Sequence, residues 1–198
     1  ANSTTSVISG TLVIQEASTS NPDPDPGEDD EVVVPEEDIN EVDDQADAAD
    51  QAVEDELGDD GTGTVSEATV NQTATATANA ATKTGDLANQ TDPVQTSSTL
   101  SLVQASSKSA VTGSKVVNAT TTADKSTVTD STKTVIRNSA TLLDKVSQQS
   151  STSGTQLSNA EKTQVQNIIV NMANAASNVT SGSTGKETTA KEMKKDLE

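Results

Sequence analysis

Ile39-Asn40-Glu41-Val42-Asp43-Asp44-Gln45-Ala46-Asp47-Ala48-Ala49-Asp50-Gln51-Ala52-Val53-Glu54-Asp55-Glu56-Leu57-Gly58 is the stretch that sets the fold class. Its apolar residues Ile39, Val42, Ala46, Ala49, Val53 and Leu57 recur at offsets of 3, 4, 3, 4 and 4, which is the stripe of an amphipathic helix. Asp and Glu fill the other faces, and Gly58 stands where a left-handed cap would stop the helix. With two alanines inside the stripe the buried area is small, so this helix is expected to need a docking surface.

Upstream, Gly10-Thr11-Leu12-Val13-Ile14-Gln15 is a short β-branched run that reads as a strand within residues 1–20. In residues 21–35, Asn21-Pro22-Asp23-Pro24-Asp25-Pro26-Gly27 forbids helix and forces an extended acidic linker. Val32-Val33-Val34 before Pro35 is a second candidate strand, and either strand could pair with another chain. Residues 36–58 hold the acidic helix. Residues 59–92 are dominated by Thr, Ala, Asn and Gly and read as a low-complexity spacer without firm structure.

Residues 93–180 read as helical. Asp92-Pro93-Val94-Gln95 has the form of a helix start, continued by Leu100, Val103, Ala110 and Val111 and ended at Gly113. Val128, Val135 and Leu142 lie seven apart, the seam of a helix pair. Ser158 with Glu161 makes a capping box, and Val165, Ile168, Ile169, Met172, Ala176 and Val179 form the stripe behind it. Helices over Pro93–Thr112, Val128–Gln149 and Asn159–Val179 are expected to form a small antiparallel bundle, followed by a charged tail at 181–198. The expected class is mainly α: a small-residue helical bundle or elongated helices after an acidic arm with one or two short strands, with extensive disorder or extended structure elsewhere.

Composition limits the chemistry. The 198 residues contain no Phe, Tyr, Trp, Cys or His, which removes the commonest general bases, soft nucleophiles, transition-metal ligands and interface anchors. Only 35 residues are Leu, Ile or Val, so the core is thin and order is expected to depend on packing against copies or another protein. Residues 1–70 hold 21 Asp and Glu without a Lys or Arg, whereas residues 71–198 hold 10 acids and 12 bases. The acidic part repels duplex and anionic lipid and attracts cations or basic partners. Apart from Lys194-Lys195 the lysines are spread singly, and are expected to solvate helices or to meet the acidic segment of a neighbouring chain. Single-stranded nucleic acid would need aromatic platforms, which are missing.

Individual motifs are sparse. Asp23, Asp25, Glu28, Asp29 and Asp30 are the candidate ligands for loose Ca²⁺ binding; no other cofactor is expected. An EF-hand loop needs Gly at position 6 and Glu at position 12, and counting from Asp23 or Asn21 fails both requirements. Asn2, Asn71, Asn89, Asn118 and Asn178 stand in N-x-Ser/Thr sequons, close to the number this composition gives by chance, so glycosylation is permitted rather than indicated. No phosphate loop or nucleophile elbow occurs, and no apolar run reaches the roughly 18 residues of a membrane span. An opening Ala1 fits a processed or excised chain.

The runs Asp92-Pro93 through Ser107, Ser139-Ala140-Thr141-Leu142-Leu143-Asp144-Lys145-Val146, and Leu157-Ser158 through Ala176 resemble Ser/Thr-rich helical regions of large secreted or cell-surface proteins, the REJ-like region of polycystin-type proteins being one example. The opening Val7-Ile8-Ser9-Gly10-Thr11-Leu12-Val13 resembles the start of mature exported bacterial proteins. The resemblance implies an extracellular or cell-surface location and transfers no site. The expected function is a non-catalytic structural or assembly protein, a spacer, sheath or filament component that associates with itself or with another surface protein. The alternative is an acidic binding module for Ca²⁺ or a basic partner.

Overall fold

The structure, a computed structural model, describes residues 31–59 and 61–182. Helices follow one another in this order: α1 (Glu36–Leu57), α2 (Glu67–Ala88), α3 (Thr96–Asn118), α4 (Ser126–Ser153) and α5 (Asn159–Gly182). The chain is mainly helical, as its periodicity predicts. The strand expected at 10–15 and residues 21–30 of the Pro-rich linker lie outside the described residues.

Each helix touches the next helix and the next but one, and no helix reaches further along the chain. That pattern defines two layers, with α1, α3 and α5 in one and α2 and α4 in the other. Directions follow from the cross-links. Asp43 and Asp50 of α1 meet Lys108 and Lys115 of α3, and Ser107 and Ser114 of α3 meet Asn171 and Asn178 of α5, so these three run parallel. Asp38 and Gln45 of α1 meet Lys83 and Asn79 of α2 in the opposite order, so α2 runs against them. Two isolated parallel bridges, Val32 with Val94 and Thr64 with Thr120, join the entries of alternate helices. The whole is an open solenoid-type stack, whose stability comes from neighbour-to-neighbour seams; of the three helices expected to pack antiparallel, α3 and α5 run parallel.

The predicted stripe of α1 docks as drawn. Val42, Ala46, Ala49 and Val53 are buried, and Ile39 and Leu57 pack at its ends. Gly58 has a positive φ of 70° with ψ at 177°, so it ends the helix without the left-handed cap geometry.

The Thr/Ala-rich segment is α2, not a spacer. Thr69, Thr73, Thr77 and Thr84 are buried. Hydroxyls of Thr73, Thr77 and Thr84 donate to the carbonyls of Thr69, Thr73 and Ala80 one turn back. With the hydroxyl satisfied inside its own helix, each threonine offers its methyl to the core.

The start expected at Pro93 also moves. Val94 is used in the bridge to Val32, with Val32 N–H donating to Pro93 O and Gln95 N–H to Val32 O. Helix α3 therefore begins at Thr96 and passes through Gly113 to Asn118. The Val32–Val34 segment finds its partner within its own chain.

α3 contacts all four other helices. Its buried residues, including Leu100, Leu102, Val103, Ser106, Ser109, Gly113 and Val117, cover all of its circumference but the strip from Ser97 through Lys108 to Asn118. A Cβ on Gly113 would come within 2.2 Å of Thr132 Oγ1 and 3.0 Å of Thr77 Cγ2, so the glycine permits three helices to meet there.

Candidate functional site

The first layer of the stack carries the chemistry of interest, because its two internal seams share a register and differ in composition. Three lysines each sit between two carboxylates of α1. Lys83 Nζ lies 2.5 Å from Asp38 and 3.8 Å from Glu41. Lys108 lies 2.7 Å from Asp43 and 3.3 Å from Asp47. Lys115 lies 2.7 Å from Asp50 and 3.0 Å from Glu54, and Thr112 Oγ1 donates to Asp50 at 2.7 Å.

These contacts raise the lysine pKa values. The hydrogen bond to Asp38 raises that of Lys83, and the hydrogen bond to Asp43 that of Lys108, each against partial burial. For Lys115 burial is the largest influence and pulls downward, yet Asp50 and Glu54 together leave the pKa raised. The acids of α1 thus pair with lysines of their own chain, whereas these lysines were expected either to solvate helices or to meet the acidic segment of a neighbouring chain.

The opposite seam of α3 has no ion pair among the described residues. Asn171 Nδ2 donates to Ser107 Oγ at 3.0 Å, Asn178 Nδ2 to Ser114 Oγ at 3.2 Å, and Asn118 Nδ2 to the Asn178 carbonyl at 3.0 Å. Buried Ile168, Met172, Ala175, Ala176 and Val179 supply the apolar part.

Capping fixes where the helices enter these seams. Ser158 N–H donates to Glu161 Oε2 at 2.7 Å while Glu161 N–H donates to Ser158 Oγ at 3.2 Å, the predicted capping box. Glu56, near the end of α1, reaches over to α2 and accepts from Ser66 N–H, Ser66 Oγ and Thr69 Oγ1. Those bonds from Ser66, chiefly, hold its carboxyl below the usual range.

Of the predicted site residues, Asp23, Asp25, Glu28, Asp29, Asp30 and Asn2 lie outside the described residues. Asn71 and Asn89 are exposed, on α2 and at its C-cap. Asn118 and Asn178 direct their amides into the α3–α5 seam, so a glycan on either amide would displace a seam hydrogen bond. Among the described residues no three acids converge on a point that could hold a metal ion. A cleft of about 400 Å³ opens where α1, α3 and α5 end, lined by Glu54, Leu57, Lys115, Asn118 and Asn178, and its charged pair already belongs to the lysine ladder.

The residues that organise the seams escape a local pattern search. Their signal was the repeated spacing of seven in Asp43/Asp50, Lys108/Lys115, Ser107/Ser114 and Asn171/Asn178. The protein is of the class of two-layer helical stacks. No protein-family model, curated protein or solved structure matches the chain.

Proposed function

We propose that the chain is a non-catalytic structural and assembly module of the cell exterior, acting as a spacer or filament component. The observation that carries this is the open stack itself: every helix contacts only near neighbours, so the body is built by addition along one axis. Length and spacing are what such an architecture supplies. The outward side of α1, with Glu37, Glu41, Asp44 and Asp55 exposed, makes a solvated end of the kind that stops uncontrolled stacking. No helix among the described residues is long and apolar enough to cross a membrane. The composition supports the non-catalytic part, since a preorganised pocket would have to be built from Ser, Lys, Asp and Glu alone.

Far-UV circular dichroism with and without millimolar Ca²⁺ tests this function. Helicity independent of calcium is expected. A large calcium-dependent gain overturns it in favour of the acidic binding module.

A further inference from the structure

Among the described residues only three large hydrophobics are exposed: Val33 at 55%, Ile169 at 47% and Val170 at 57%. Two of them are adjacent on α5. The register of the stack explains what their side of the helix corresponds to. On α3, Lys108 and Lys115 face back to α1, and the residues one position earlier, Ser107 and Ser114, face forward to α5. On α5, Asn171 and Asn178 face back to α3. By the same step Val170 takes the forward position, with Ala173 and Asn174 exposed beside it. This face continues the established seams and is of the same neutral, small-residue kind as the α3–α5 seam.

We infer that the forward face of α5, centred on Ile169, Val170, Ala173 and Asn174, binds the same face of a second copy about a two-fold axis. Charge selects this occupant. The net charge of −19 is concentrated in residues 1–70, which hold 21 Asp and Glu and no Lys or Arg, so copies repel wherever these segments approach one another, and a contact on α5 keeps the α1 helices apart. The described part of α5 has only Glu161 and Lys162 as charged residues, both in its first turn. Head-to-tail stacking would instead bring Asp44 and Asp55 of one copy's α1 onto a helix whose single described lysine, Lys162, sits in its first turn, leaving carboxylates desolvated without enough cations to pair them. A self-complementary two-fold contact avoids that cost and closes after two copies. One helix pair lies at the small end of specific interfaces, so dissociation on the order of 100 μM is expected.

This contact rests on the assembly function above, and its test separates the two. The full chain is free of cysteine, so single cysteines report proximity cleanly. Analytical ultracentrifugation should show a concentration-dependent monomer–dimer equilibrium that Val170→Lys shifts at least tenfold toward monomer with unchanged circular dichroism. Under mild oxidation, at least one of Val170→Cys, Ala173→Cys and Asn174→Cys should form disulfide dimers tenfold faster than Gln51→Cys on the outer side of α1. A folded chain that stays monomeric at all concentrations overturns the inference and leaves the spacer function standing. Equal crosslinking at all sites, or preferential α5-to-α1 crosslinking in mixtures, also overturns it. Loss of the helical signal in the unmodified chain would bring down both.

Discussion

The two seams of α3 hold parallel helices at nearly the same register by opposite means. Toward α1, Lys108 and Lys115 each bridge two carboxylates; toward α5, Asn171 and Asn178 bond to serines amid a fully apolar row. The charged seam lets a helix with only Val42, Ala46, Ala49 and Val53 buried dock despite its acids. The neutral seam instead depends on Ile168 and Met172, larger side chains with no charge to screen. Salt and alkali should therefore act on one end of the stack and leave the other untouched.

The largest expected effect abolishes the contrast by striking the helix both seams share. Leu100 is wholly buried on α3, and Leu100→Ala should cost about 2–5 kcal/mol in urea unfolding. Next comes Lys115→Met, which leaves Asp50 and Glu54 without their shared cation. A loss of about 1–2 kcal/mol is expected in low salt, shrinking as salt screens the remaining charges. Asn178→Ala removes a neutral bond to Ser114. It should cost about 1 kcal/mol, with no dependence on salt.

The smallest effect has the opposite sign. The Ser139 hydroxyl is buried without a hydrogen-bond partner, so Ser139→Ala should stabilise by about 0.5–1 kcal/mol.

The pH dependence sharpens the same contrast. Lys108 and Lys115 have raised pKa values, so their contribution is complete below the ordinary lysine value of about 10.4 and is lost as pH rises through the higher folded values. α1 should therefore loosen first in alkali. Glu56 behaves in reverse: its lowered pKa means that its contribution is present above the ordinary glutamate value of about 4.3 and disappears as pH falls through the lower folded value.

How much of this was legible in the sequence depends on whether the signal was local. The stripe of α1 and the Ser158–Glu161 box lie within a few turns of chain and were readable. Helix α2 was hidden because its core face is built from threonines, which count as polar until their hydroxyls are seen bonded to their own backbone. Val94 looked like a first-turn residue because its bridge partner, Val32, is distant in sequence. The Lys108 and Lys115 rungs of the ladder join residues about sixty apart, and only matching intervals of seven on separate helices foreshadow them.

Hydrogen exchange of the intact chain, followed helix by helix as NaCl is raised from about 0.05 to 1 M at neutral pH, tests the central claim most directly. Protection in α1 should fall several-fold while that in α5 stays constant. Equal loss in both helices, or loss confined to α5, would contradict a stack held by one ionic and one neutral seam.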